Sequence, residues 1–300
     1  MTFYDALFPY LFIKSVKTAQ ALPGRFGACA RATFKNRHDC EFDIKDNVIS
    51  DELMFSWSGQ EYVDVTVIPQ KYTNSVCVSI HEGNDKEVDE AICDRIRNRH
   101  AEYFFRIHCA TVGKTWIDWA CRWPFTGLEL YERLDDSTFA LCNNLLKTRR
   151  LTQILVESVA CTEQVVEWMK ELLCQEQFET VYIQDSAVVE ELLDFWIAQH
   201  KQMVKKHLNI YGTCEEAAQL LEGKLETCSS EECNTINSEY LFFYRAMFEN
   251  PSNAYKLKKE GQFGVPNHNV YVFFECDGKD ANRDELDFMR ETSSMRILFG

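Results

Sequence analysis

The chain has 300 residues, of which 46% are hydrophobic and 26% charged, enough for about two globular domains or for one elongated repeat domain. Its formal net charge of −15 opposes general binding to nucleic-acid phosphates or to an anionic membrane surface, so we expect no nucleic acid and no membrane among its partners. No apolar run approaches the ~20 residues that span a bilayer, and Asp5 stands where a signal peptide is basic, so we expect a cytoplasmic or nuclear protein.

The cysteines are used as they are in reducing compartments. Thirteen cysteines are scattered singly, and no Cys-x-x-Cys occurs. Several of them lie inside apolar patterns, where a free thiol behaves as a small hydrophobic residue. We therefore expect free thiols and no disulfide framework.

Residues 1–124 form the first predicted domain. Two helices are predicted within residues 3–37, because apolar residues recur at helical spacing on both sides of a break at Leu22-Pro23-Gly24. The second of these helices is predicted over about residues 25–37. Short alternating segments joined by turn residues follow and predict a small antiparallel sheet. These segments are residues 41–46, 52–58, 62–68 and 75–80.

A helix, a strand and a tryptophan stripe complete this domain. We predict a polar helix over about residues 86–103 and a strand over residues 104–110. The stripe then places Trp116, Trp119, Ala120 and Trp123 at the spacing of one helix face. Tryptophans at this spacing are more typical of a core than of a ligand site.

Residues 125–300 form the second predicted domain, in which one strand pattern recurs. An apolar-x-apolar strand core ends at Leu130, Val156, Ile183 and Ile210, so the steps are 26, 27 and 27 residues. A period in the twenties with helix faces between the strands is typical of strand–helix repeats such as leucine-rich repeats. We therefore predict an α/β fold, in which an N-terminal helix pair and a small antiparallel sheet precede strand–helix repeats that form a leucine-rich-repeat-like, mostly parallel sheet.

The repeat becomes irregular after residue 226. We predict a helix over about residues 238–249 and strands over residues 269–275 and 295–299. Val272 and Leu298 are again 26 residues apart, which indicates a closing repeat.

Three short motifs have the residue types of a chemical site but not the spacing. Residues 108–115 end in Gly-Lys-Thr like a phosphate-binding loop, yet His108 replaces the first glycine. Cys228 and Cys233 lack the second ligand pair of a zinc site. The neighbours in His38-Asp39-Cys40 point to alternate faces of an extended chain, so they cannot relay a proton. We predict no catalytic residue, no metal and no cofactor.

The repeat strands predict a binding surface instead. If the apolar strand positions face the core, the alternating positions face the open side of the sheet. Tyrosines beside polar residues suit protein recognition there, since tyrosine adds contact area at little entropic cost. A second layer of protein over this side is the equal alternative. The predicted partner-binding residues are Glu129, Tyr131, Leu155, Glu157, Tyr182, Gln184, Asn209 and Tyr211.

Two regions together resemble the large nematode F-box-associated family. One is the run of strand–helix units of 26 and 27 residues, and the other is the opening Phe8-Pro9-Tyr10-Leu11-Phe12-Ile13-Lys14-Ser15-Val16 with Leu22-Pro23, Arg31 and Phe34 behind it. In that family the F-box docks a Skp1-type adaptor of a ubiquitin ligase, and the C-terminal repeats hold the target. The resemblance implies adaptor binding by Phe8, Pro9, Leu11, Phe12 and Val16.

These observations predict a non-enzymatic protein–protein interaction module that holds a protein target. The resemblance implies a role as substrate-recognition subunit of an SCF-type ubiquitin ligase. The alternative is a small-molecule enzyme on a parallel α/β sheet, with its cleft at the strand C-termini near Glu157, Asp185 and Tyr211. A paralogue that folds but retains little function is a third hypothesis.

Overall fold

The computed structural model describes residues 16, 18–56, 72–82, 93–94, 96–97, 101–185, 187–239, 248, 250–258, 269–276 and 285–300. The chain divides into two compact units. Unit 1 consists of Met1–Glu129 and Leu134–Leu145, and unit 2 consists of Leu130–Arg133 and Leu146–Gly300.

Helices and strands alternate along the described chain, which confirms the predicted α/β fold class. The helices are α1 (Gly24–Asn36), α2 (Lys114–Arg122), α3 (Asp136–Lys147), α4 (Glu163–Leu173), α5 (Val189–Ala198), α6 (His200–Met203), α7 (Glu215–Leu221) and α8 (Ser230–Glu239). The strands are β1 (His38–Lys45), β2 (Val48–Ser56), β3 (Thr73–Glu82), β4 (Glu102–Ile107), β5 (Phe125–Leu130), β6 (Gln153–Val156), β7 (Thr180–Asp185), β8 (Lys206–Thr213), β9 (Leu225–Thr227), β10 (Tyr255–Leu257), β11 (Val270–Phe274) and β12 (Ser294–Phe299).

The strands of unit 1 follow the order β2-β1-β3-β4-β5. β1 and β2 form an antiparallel hairpin whose turn residues Asp46 and Asn47 have φ of 50° and 63°, the left-handed pair that a type I′ turn requires. β1 pairs with β3, and β3 with β4, in parallel. The antiparallel prediction is therefore correct for the hairpin and wrong for β3. An alternating apolar pattern is the same in both kinds of pairing, so it does not encode strand direction.

Two other predictions for unit 1 have different outcomes. The predicted strand over residues 62–68 lies outside the described residues. The predicted helix over residues 86–103 overlaps β4, because the extended chain already begins at Glu102. Tyr103, Phe105 and Ile107 on this strand alternate as buried positions, which is the period of a strand.

The predicted helix pair is described from Val16 onward. Val16, Thr18 and Ala19 are helical, and α1 confirms the second helix. Val16, Ala19 and Ala30 form a buried apolar cluster against which Phe26 and Phe34 pack. The two helical segments therefore share an apolar contact.

The tryptophan stripe of α2 lies in a core. Trp116, Ile117, Trp119 and Ala120 are all buried, and the rings of Trp119 and Trp123 stack at 4.9 Å between centroids. The prediction that this stripe is core is confirmed.

The strands of unit 2 follow the order β6-β7-β8-β12-β11-β10-β9. β6, β7 and β8 are parallel neighbours, so the repeated strand cores are confirmed as strands of one sheet. Their apolar positions are almost fully buried: Ile154, Val156, Val181, Ile183, Leu208 and Ile210. Right-handed crossovers between successive parallel strands place the connecting helices on one side of the sheet. Trp196 of α5 packs on Phe299 of β12 on that side, with 5.8 Å between ring centroids.

The chain end closes the sheet in a different way from the predicted repeat. β12 lies between β8 and β11 and is antiparallel to both, so the closing-repeat interpretation is wrong. The spacing between Val272 and Leu298 arises from an antiparallel pair, because a period along the chain does not distinguish a crossover from a return. α8 covers the opposite side of the sheet here, where Ile236 shares a buried cluster with Tyr271, Phe273 and Leu298.

Candidate functional site

A tyrosine-bearing surface lies on the side of β6, β7 and β8 opposite to the buried strand positions. We name it the tyrosine face, and the predicted residues that lie on these three strands or directly after β6 are Leu155, Glu157, Tyr182, Gln184, Asn209 and Tyr211. Parallel register aligns Leu155 with Tyr182 and Tyr182 with Asn209. All six are at least partly buried, and Asn209 is the most buried of them. The sequence prediction that these side chains share one face agrees with this register.

Hydrogen bonds tie neighbouring side chains together on the tyrosine face. The hydroxyl of Tyr211 donates to Glu157 Oε1 at 3.2 Å. The hydroxyl of Ser158 donates to Gln184 Oε1 at 3.2 Å. These bonds fix the polar side chains at the carboxyl ends of the three strands.

The structure adds Arg296, which the sequence prediction missed. β12 is antiparallel to β8 and places Arg296 opposite Asn209. Burial lowers the pKa of Arg296 to about 10, and the nearby Tyr182 acts in the opposite direction. The alternation of Met295, Ile297 and Phe299 predicts the strand itself, but nothing in the sequence specifies β8 as its neighbour.

His207 lies on the same side of β8, two residues before Asn209. Burial lowers the pKa of His207 to about 3, and the positive charges of Arg296 and Lys206 lower it further. The imidazole is therefore neutral at physiological pH. Arg296 supplies the positive charge of this surface.

Asn209 has an unusual position within the tyrosine face. The residue is only 7% exposed, and its Nδ2 has no hydrogen-bond partner among the described residues. Buried amide groups are nearly always hydrogen-bonded, so this donor is an exception among the described residues.

Two predicted partner-binding residues have different surroundings. Tyr131 belongs to unit 2 and is half-buried. Glu129 belongs to unit 1 and is 8% exposed. Its Oε2 forms an ion pair with Arg106 Nε at 2.7 Å. Arg106 also pairs with Glu41 at 2.8 Å. The Glu129 carboxylate is therefore occupied within its own unit.

A second polar cluster surrounds these ion pairs in unit 1. His81 Nε2 lies 3.0 Å from Asp43 Oδ1, and the rings of His81 and His108 stack at 4.5 Å. Burial raises the pKa of Cys77 to about 12, and burial together with the charge of His81 lowers the pKa of His108 to about 4. A thiol with so high a pKa is not a nucleophile at neutral pH. We read this cluster as a structural ion-pair network.

The predicted adaptor-binding residues are only partly within the described chain. Phe8, Pro9, Leu11 and Phe12 lie outside it. Val16 is fully buried in the cluster with Ala19 and Ala30, so its side chain stabilises unit 1 and is not available at the surface.

The motif that resembles a phosphate-binding loop is held by its own unit. Gly113 precedes α2 with φ of −62°, the backbone N–H of Val112 donates to Thr138 Oγ1 at 3.0 Å, and Lys114 pairs with Asp118. A phosphate-binding loop needs such backbone N–H groups directed at the ligand.

The other two short motifs also lie in structural surroundings. Cys228 lies in an apolar cluster that Cys233 packs against, and Cys40 lies on the buried side of β1, opposite Asp39.

The enzyme alternative has little geometric support. Glu157 and Tyr211 do meet, but they hydrogen-bond to each other, and the side chain of Asp185 lies outside the described residues. A cleft of about 810 Å³ lies elsewhere in unit 2, beside Lys170, Cys174 and Phe195. Lys170 is held there by Glu167 and Glu191, and burial raises the pKa of the Cys174 thiol. This cleft contains no arrangement of activated acid, base or nucleophile among its described side chains.

All thirteen cysteines are free thiols in the structure. The described ranges contain no group of three or more His, Cys, Asp or Glu side chains arranged to hold a metal ion. Nor does any helix within those ranges combine the length and the hydrophobicity that crossing a lipid bilayer requires. Comparison with protein families, curated proteins and solved structures gives no match to this chain.

Proposed function

We propose that this chain is a non-enzymatic protein-interaction module and that the tyrosine face holds its protein target. The observation that carries the proposal is the row of half-buried tyrosine and polar side chains on the side of β6, β7 and β8 opposite to their buried apolar positions. Interface energy concentrates on such aromatic and Arg anchors, which Tyr182, Tyr211 and Arg296 supply. The contrast with unit 1, where the polar side chains form an ion-pair network of their own, favours unit 2 as the binding side.

The experiment compares proteins recovered with the tagged full-length chain and with a Tyr182→Ala/Tyr211→Ala variant. The matched control is Lys201→Ala/Gln202→Ala, which changes two exposed residues of α6. We expect a defined set of proteins to be lost from the tyrosine variant and retained by the control. Recovery of the same proteins with all three chains, at equal folded concentrations, contradicts the proposal.

The ubiquitin-ligase role is a narrower proposal that rests on the resemblance of residues 8–16 to an F-box. Its test is direct binding of the full-length chain to a purified Skp1-type adaptor. Val16 is unsuitable for substitution, since its burial makes loss of folding the expected result. Leu11→Asp and Phe12→Asp are better choices, and we expect each to abolish adaptor binding. Absence of adaptor binding by the unaltered chain contradicts the ligase role and leaves the tyrosine face to be tested separately.

A further inference from the structure

We infer that Cys228 and Cys233 are a redox-sensitive thiol pair, which a low-molecular-weight disulfide converts into an intramolecular disulfide that fixes the start of α8. The inference is independent of the proposed function. Its starting point is the short segment of residues 228–233, in which the two thiols occupy the two positions that meet beside a capped helix start.

The first step concerns the start of α8, which Ser229 caps. The backbone N–H of Ser229 donates to Glu232 Oε2 at 2.8 Å, and the backbone N–H of Glu232 donates to Ser229 Oγ at 3.2 Å. These reciprocal bonds form a capping box, with Ser229 as the N-cap residue and Glu232 at the third helical position. Lys256 Nζ also donates to Glu232 Oε1 at 2.5 Å. The start of this helix is therefore held in one defined conformation.

The second step places the two thiols relative to this cap. Cys228 comes directly before the N-cap residue, and Cys233 is the fourth residue of α8. Side chains at these two positions pack against each other in the hydrophobic staple that accompanies a capping box. Cys228 belongs to a buried apolar cluster, and Cys233 packs against that cluster. The backbone N–H of Cys228 also donates to the carbonyl oxygen of Ala254 at 2.8 Å. Two thiols therefore occupy the staple positions, and the backbone of each is fixed.

The third step concerns the order in which the thiols react. Cys233 is partly exposed, whereas Cys228 is only 8% exposed. Burial raises the pKa of Cys228 to about 12, and the nearby groups Glu232 and Cys233 act in the same direction. A buried thiol with so high a pKa does not begin the reaction. Cys233 is therefore the thiol that meets the oxidant.

The reaction is a thiol–disulfide exchange in two steps. The Cys233 thiolate attacks one sulfur of the small disulfide, forms a mixed disulfide and releases one thiolate. The Cys228 sulfur, after loss of its proton, attacks Cys233 Sγ in that mixed disulfide and releases the second thiolate. The protein loses two protons and two electrons, and the small disulfide takes them up as two thiols. The high pKa of Cys228 slows the second step, whereas the proximity of the two sulfur atoms accelerates it.

The position of α8 gives this disulfide a structural consequence. Asn209 pairs with Arg296 and Arg296 with Phe273, so these three side chains share one side of the sheet. Ile236 of α8 packs in one cluster with Phe273. The helix therefore covers strands on the same side of the sheet as the tyrosine face, and the disulfide fixes its first turn.

The test uses the unaltered full-length chain in mixtures of reduced and oxidised glutathione at about pH 8, where thiolates are populated. Free thiols are then blocked with N-ethylmaleimide in denaturant. Trypsin releases residues 225–245, whose two cysteines are Cys228 and Cys233. We expect this peptide to be unblocked and lighter by two hydrogen atoms than the reduced peptide. Treatment with dithiothreitol before blocking should restore the blocked form.

The same mixtures in concentrated urea measure what the fold contributes. The equilibrium constant for oxidation should be at least about tenfold larger in the folded chain, because the fold already holds the two sulfur atoms together. Cys174→Ser, which removes an exposed thiol elsewhere in unit 2, should leave the disulfide unchanged. Oxidation should also slow hydrogen exchange of the α8 amides by at least about tenfold, since the closed loop opposes local opening.

A peptide that stays reduced or stops at the mixed disulfide overturns the inference. So does an equilibrium constant that is no larger in the folded chain than in urea. Unchanged hydrogen exchange in the oxidised chain overturns the fixing of α8. Each of these outcomes is distinct from failure of the proposed function, which the Tyr182→Ala/Tyr211→Ala variant tests separately.

Discussion

The hydroxyl of Tyr211 lies 3.2 Å from Glu157 Oε1, although the two residues are 54 positions apart in the chain. Tyr211 is on β8 and Glu157 follows β6, so the bond reaches across β7. It holds together the carboxyl ends of three repeat units. The same bond positions two of the side chains that we propose to contact a protein target.

This bond is measurable by a double-mutant cycle. Tyr211→Phe and Glu157→Gln, alone and combined, are expected to give a coupling free energy of about 0.5–1.5 kcal/mol, the usual net value of one hydrogen bond. The measurement is the free energy of unfolding in urea. Additive effects of the two substitutions would show that the bond does not stabilise the folded chain.

Arg106 should be critical for unit 1. It pairs with both Glu41 and Glu129, and all three side chains are less than one quarter exposed. Arg106→Met leaves two mostly buried carboxylates without their cation, so we expect a loss of about 2–4 kcal/mol in the free energy of unfolding. Lys114→Met, which breaks an exposed pair with Asp118, should cost no more than about 1 kcal/mol.

A further variant tests whether unpaired charge causes the loss of stability in Arg106→Met. Adding Glu41→Gln and Glu129→Gln to Arg106→Met should recover much of the stability, because neutral amides need no cation. A triple variant as unstable as Arg106→Met alone would mean that lost packing of the arginine side chain, and not charge, is responsible.

Lys206 stabilises the loop that follows α4. Its ammonium group donates to the carbonyl oxygens of Gln175 at 2.8 Å and Glu176 at 3.2 Å, and also to that of Phe178. Lys206→Met leaves these carbonyls without their donor, so we expect a loss of about 2–4 kcal/mol in urea unfolding. The adjacent Lys205 is exposed, and Lys205→Met should change the stability by less than about 0.5 kcal/mol. Equal losses in the two variants would contradict this assignment.

His207 should make the stability of unit 2 depend on pH. Burial lowers its folded pKa from 6.5 to about 3, so between these values the unfolded chain binds a proton that the folded chain does not. Its contribution to stability is fully present above pH 6.5 and is lost as the pH falls towards 3. The slope from this one group is at most about 1.4 kcal/mol per pH unit.

The measurement is urea unfolding at pH 7, 6, 5 and 4 for the unaltered chain and for His207→Gln. We expect the variant to lose less stability over this range. The slopes of the unfolding free energy against pH should differ between the two chains by an amount equivalent to nearly one bound proton. Identical slopes for the two chains would show that the histidine is protonated in the folded state.

Much of the repeat architecture follows from local pattern. Alternation around Ile154, Val181 and Leu208 is enough to predict the strands and their buried side, because successive side chains of a strand point to opposite faces. The same rule predicts Tyr182 and Tyr211 on the other face. The tryptophan stripe and the cysteines inside apolar patterns are also predicted as core residues, since burial of an apolar residue depends mainly on its position in a periodic pattern.

The tertiary structure alone decides which strands are neighbours and in which direction they run. Alternation is the same for parallel and antiparallel pairing, so the sequence does not reveal that β3 runs parallel to β1. Nor does it reveal that β12 enters beside β8 and brings Arg296 to Asn209. That juxtaposition depends on long-range pairing, whose free energy comes from the whole packed sheet and not from the local segment. The sequence by itself therefore determines the strands, the core and the tyrosine face, whereas the fold decides which charged side chain joins that face.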